Sequence, residues 1–133
     1  MSIICEPYSI KNLIVFPTKL VVPELPILVK TKFGYRREWF LVDSGADITM
    51  LPYFASKLLA CKLEKSRTKM FGIDGCGVSV YKSKIKVRFF NKEETIRCVF
   101  SERDDIPFIL GRLDVLDKYN MLFFKNEVCL EKQ

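Results

Sequence analysis

Trp39-Phe40-Leu41-Val42-Asp43-Ser44-Gly45-Ala46-Asp47-Ile48-Thr49-Met50-Leu51-Pro52 is the stretch on which the reading of this chain turns. It opens as an apolar run, the pattern of a strand buried on both faces. The run stops at Asp43, and a carboxylate at the end of a buried strand is costly unless something uses it. Ser44 can hydrogen-bond local backbone or a neighbouring carboxylate. Gly45 lets another backbone approach, and Ala46 keeps the space tight. Apolar residues resume at Ile48, Met50 and Leu51, and Pro52 closes the segment. The stretch predicts a loop that holds Asp43 rigidly in a β core. An Asx-type turn, with Asp43 hydrogen-bonding its own backbone, is the plain structural alternative.

The rest of the composition bounds the chemistry. The 133 residues suffice for one domain with its own core. Short runs of Val, Ile, Phe, Tyr and Thr predict a mostly β fold. There is no histidine, so Ser-His and Cys-His nucleophilic mechanisms are excluded, and any hydrolysis falls to carboxylates. The five cysteines, Cys5, Cys61, Cys76, Cys98 and Cys129, have no CxxC spacing, so no metal site is expected. Their odd number, without a secretion signal, predicts free thiols in a reducing, cytoplasmic setting. The net charge of +6 comes without an Arg-rich tract or aromatic-basic interleaving, so no specific nucleic-acid role is expected. The early apolar stretch from Leu13 to Leu28 is broken by Pro17, Lys19, Pro23, Glu24 and Pro26, so no membrane span is expected.

Along the chain, residues 1–25 read as an N-terminal arm that packs on the body or on a partner subunit, with Ile3-Ile4 and Leu13 to Phe16 as candidate strands. Residues 26–133 read as a single domain. Residues 27–33 and 36–42 form a hairpin about Gly34 that delivers Asp43 to its loop. Apolar residues at helical spacing predict a helix over 53–63. Met70-Phe71-Gly72-Ile73-Asp74-Gly75-Cys76-Gly77 is glycine-rich and centred on Asp-Gly, a hairpin-turn signal. It reads either as an ordinary tight hairpin or as a mobile one that brings backbone N–H groups to a ligand. Residues 82–89 and 95–100 alternate as half-exposed strands. Ile106-Pro107-Phe108-Ile109-Leu110-Gly111-Arg112 then leads into a helix-like segment, and residues 121–130 form a terminal hairpin. Arg112 by itself reads equally as an exposed arginine at a helix start.

Three of these segments together, over roughly residues 26–124, resemble the retroviral-type aspartic proteases, the retropepsins. They are the Asp43-Ser44-Gly45-Ala46-Asp47 loop, the glycine-rich hairpin and Ile109-Leu110-Gly111-Arg112, in that order. The resemblance implies a small closed β barrel with a flap hairpin and one short C-terminal helix. It implies an aspartic endopeptidase acting as a symmetric homodimer on peptide substrates, without cofactor or metal. Asp43 from each chain would be the catalytic carboxylate, with Ser44, Gly45 and Ala46 forming the active-site loop. Asp47 and Arg112 would form a buried structural ion pair. Phe71, Gly72, Ile73, Asp74 and Gly75 would form the flap, and Ile48, Met50, Pro107 and Ile109 would line the substrate pocket. A non-catalytic peptide-binding or dimerisation module on the same fold is the alternative, and a basic β-barrel binder of nucleic acid is a second.

Overall fold

A computed structural model of the chain describes residues 2–59, 61–64, 68–71 and 77–132. Alternation builds the first barrel strands. In β4 (Glu24–Thr31), Leu25, Ile27, Val29 and Thr31 point inward between more exposed neighbours. β5 (Gly34–Val42) returns antiparallel to it, from Thr31 opposite Gly34 to Glu24 opposite Leu41. Phe40 and Val42 are buried, but Trp39 is 46% exposed, so only one face of the apolar run faces the core. A barrel strand has an outer face, and Trp39 lies there under the Arg37 guanidinium.

The remaining barrel strands are β6 (Thr49–Leu51), β8 (Gly77–Phe89), β9 (Lys92–Ser101) and β10 (Ile109–Leu110). The order β4-β5-β10-β6-β9-β8 closes on itself, because Leu28 and Val29 of β4 also pair with Arg88 and Val87 of β8. The result is a closed six-stranded mixed barrel. Its interior is filled by Val29, Phe40, Leu51, Val87, Phe89, Ile96, Phe100, Leu110 and Val115. β7 (Thr68–Phe71) extends the sheet as a hairpin partner of β8. The β8–β9 turn carries Phe90 and Asn91 at positive φ, the two-residue geometry whose twist suits a hairpin.

The helical elements are short. The helix expected over 53–63 is confined to α1 (Ala55–Leu58). Residues 61–64 leave the helix and dock on β8, where Glu64 N–H donates to Lys82 O at 3.1 Å. The short C-terminal helix is an irregular turn over Arg112–Leu116, interrupted at Leu113 and Asp114.

Outside the barrel, β1 (Ser2–Pro7), β11 (Asn120–Phe123) and β12 (Glu127–Lys132) form a three-stranded sheet with β12 in the centre. Cys5 and Cys129 are direct partners in it and form a disulfide, which corrects the expectation of free thiols at these positions. Sequence spacing could not pair them, because their proximity arises from a register 124 residues apart. Such a bond persists in oxidising surroundings and gives no support to a reducing compartment. Between β1 and β4, β2 (Ser9–Leu13) and β3 (Thr18–Val22) pair with each other as a separate hairpin. Ile14 to Phe16 lie in its exposed turn rather than in a strand, and Pro17 sits at its end. No helix among the described residues is long and apolar enough to cross a membrane.

Candidate active site

The Asp43 loop is formed where one strand threads between two others. β5 ends at Val42, the chain leaves the sheet, and it re-enters at β6. β10 fills the gap: Ile109 and Leu110 run parallel to Leu41 and Val42, and Ile109 pairs antiparallel with Met50. Backbone hydrogen bonds fix both limbs of the loop to this intruding strand and its continuation. Asp43 N–H donates to Leu110 O at 3.1 Å, Arg112 N–H to Ala46 O at 2.9 Å, and Leu113 N–H to Asp47 O at 2.9 Å. Ala46 N–H closes the turn on Asp43 O at 3.1 Å.

The tightest point is Gly111. A Cβ there would lie 2.4 Å from the Ile48 carbonyl carbon and 2.7 Å from the Thr49 nitrogen. Its N–H donates to Thr49 Oγ1 at 3.1 Å, which satisfies a hydroxyl buried in an otherwise apolar strand. Sequence reading passed over Thr49; a lone hydroxyl residue between Ile48 and Met50 was the available signal.

Asp43 Oδ1 accepts Gly45 N–H at 3.0 Å, so the local Asx contact is present. Oδ2 takes no hydrogen bond among the described residues, and the side chain is exposed. It opens into a cleft of about 280 Å³. Gly45, Ala46, Asp47 and Ile48 from the loop line this cleft with Met50 and Ile109. Met70 and Val78, register partners in the β7–β8 hairpin, also line it. Sequence reading placed cover for the site in the glycine turn and missed these two stem residues, whose signal was their place in apolar flanks. The site is a carboxylate whose Oδ2 has no hydrogen bond among the described residues, lining a mostly apolar cleft and set on backbone that cannot shift easily.

Of the other expected site residues, Pro107 is not among those lining the cleft, and Ser44 is exposed without a hydrogen bond among the described residues. The backbone of Phe71 pairs with Gly77. Gly72, Ile73, Asp74 and Gly75 lie outside the described residues. The buried Asp47–Arg112 pair requires correction. Both residues are exposed, and no ion pair joins them among the described residues. Their segments are joined by main chain instead, which leaves both charges hydrated and avoids the desolvation cost of a buried pair. The arginine fork that is formed nearby joins Arg97 and Asp114, at 2.9 Å from Nε to Oδ2 and 2.8 Å from Nη2 to Oδ1. Among the described residues, Cys5, Glu127 and Cys129 are close enough to hold a metal, but the two sulfurs are bonded to each other.

The fold has solved counterparts. EIAV protease, determined in complex with the inhibitor HBY-793, aligns with a TM-score of 0.57 at 22% identity, covering 72% of this chain and 86% of its own. A retropepsin-like aspartic protease from Rickettsia conorii aligns with a TM-score of 0.61 at 18% identity, covering 98% of this chain and 99% of its own. The fold is therefore of the retropepsin type. No protein-family model matches the chain. No curated protein matches it by sequence.

Proposed function

We propose that the chain is an aspartic endopeptidase that works as a symmetric homodimer. The observation that carries this reading is Asp43, fixed by main-chain hydrogen bonds with one oxygen unbonded among the described residues, lining a mostly apolar cleft in a retropepsin-type barrel. One chain supplies one such carboxylate, since Asp-Ser-Gly occurs once in the sequence. Two copies about a two-fold axis bring two Asp43 side chains together. Two carboxylates in contact cannot both ionise, so they share a proton. The ionised one takes a proton from water as the water attacks the peptide carbonyl, and the protonated one donates to the carbonyl oxygen.

Ser44 braces the paired loops, and Gly45 lets substrate backbone approach Asp43. The β7–β8 hairpin, joined through residues 72–76, acts as a flap over the peptide. Ile48, Met50 and Ile109 favour large apolar residues beside the scissile bond. Asp43→Asn keeps the size and shape of the side chain and removes the ionisable group. Peptide-library cleavage is expected to fall by at least about 10²–10⁴-fold in this variant, with the fold retained. Undiminished cleavage would overturn the assignment. Peptide binding without cleavage by the wild type would identify a non-catalytic binding module.

A further inference from the structure

A second cavity, of about 420 Å³, adjoins the Asp43 cleft, and Ile48 lines both. Its apolar surface comes from Ile48, Cys98 and Leu113. Burial pushes the Cys98 thiol far up, so Cys98 stays neutral and acts as a wall. Around this surface stand Lys62, Lys82, Lys84 and Arg97; among the described lining residues the one carboxylate is Glu64, and Arg97 is already paired with Asp114, so the surplus comes from the three lysines.

The cations are arranged more specifically than a lysine-rich solvated face requires. Lys84 and Arg97 are direct partners in the β8–β9 register, a juxtaposition that like charges disfavour. Asp114 grips Arg97 by the fork described above, which fixes the guanidinium and leaves some of its five N–H donors unspent. Lys62 is carried by the segment docked on β8, where Ser83 Oγ donates to Lys62 O at 2.7 Å. Among the described residues, Lys62, Lys82 and Lys84 enter no ion pair. An anion with a short apolar stem would match both the charge surplus and the apolar surface.

We propose that this cavity is a subsite for an Asp or Glu side chain of an extended peptide held in the Asp43 cleft. The proposal rests on the protease reading and adds a substrate class to it: peptides with apolar residues at the scissile bond and an acidic residue a few positions away. With Ile48 as the shared wall between cleft and cavity, the acidic anchor is assigned to an outer position of the peptide rather than to the residues flanking the bond. The carboxylate accepts charge-assisted hydrogen bonds from the lysines, which enter no ion pair among the described residues.

The test uses the full chain and peptides with identical apolar residues at the scissile bond, carrying Glu or Gln in turn at each outer position. Cleavage is followed as kcat/KM and binding by fluorescence anisotropy. At one or more outer positions Glu is expected to improve both by about tenfold at low salt. The gain should fade as ionic strength rises. Lys82→Ala combined with Lys84→Ala should remove the gain and leave cleavage of the Gln peptide unchanged. Lys84→Glu should turn the preference from Glu towards Lys. Equal handling of Glu and Gln at every outer position, a preference that survives the double variant, or no binding of any peptide would overturn the subsite. Glu-dependent binding that Lys82 and Lys84 control, without cleavage, would uphold the subsite and reject the protease reading.

Discussion

Gly111 has no space for a side chain, because the backbone of Ile48 and Thr49 occupies the position of its Cβ. Any substitution must push apart the two segments that hold Asp43. Gly111→Ala is expected to destabilise by about 1–3 kcal/mol or more, the usual range for overpacking, with backbone as the immovable partner. Urea unfolding checks this, and a midpoint equal to wild type would mean that the two segments separate freely. Asp114 offers a pH-dependent prediction. Hydrogen bonding from Arg97 holds its carboxyl well below the usual carboxylate range. A depressed carboxylate contributes stability in full above its unfolded value of about 3.9 and loses it as pH falls towards the folded value. Asp114→Asn preserves a residue type that tolerates the left-handed backbone there and removes only the charge. The variant should be less stable than wild type at neutral pH, and the gap should close as pH is lowered through the unfolded value. Denaturation curves across that range test the sign, and a constant gap would contradict it.

At the level of elements, α1 depends on a residue far along the chain. Phe54 N–H, at the start of the helix, donates to Asp104 Oδ1 at 2.8 Å, and no local side chain caps it. Asp104→Ala should cost about 1 kcal/mol, the typical loss of a capping oxygen. Urea unfolding measures it, and no change in midpoint would show that water replaces the carboxylate. This cap also marks what the sequence made legible. The β4–β5, β8–β9 and β11–β12 hairpins were readable because alternation and turn chemistry act over a few residues. The Asp43 loop was readable because its residue types conflict with a buried strand. The length of α1 was not, since it ends where residues 61–64 find a better partner on β8, a tertiary effect with no local signal. The β2–β3 hairpin was missed for a related reason: Pro17 in its turn marks a break without giving a register. The Arg97–Asp114 fork was hidden because it joins β9 to the turn after β10, whereas the Asp47–Arg112 expectation came from resemblance alone.

Across the whole molecule, long-range pairing does most of the organising. The barrel shuts through Val29 and Val87, and the outer sheet joins β1 to β12. The Cys5–Cys129 bond closes nearly the full chain into a covalent loop, which restricts the unfolded ensemble. Reduction should lower stability by about 2–4 kcal/mol, the typical value for a native disulfide. Unfolding with and without reductant measures it, and a Cys5→Ser, Cys129→Ser double variant should no longer respond. Equal sensitivity of wild type and variant to reductant would locate the effect elsewhere. The same pairing has a consequence during protein synthesis. Cys5 leaves the ribosome 124 residues ahead of Cys129. At about 5–20 residues per second, it waits roughly 6–25 s for its partner. All six barrel strands precede β12 in the chain, so a nascent molecule can have a shut barrel while β1 still carries an unpaired edge and a bare thiol. That interval is when a chaperone or a foreign thiol has its access to β1, and it ends only when β12 emerges.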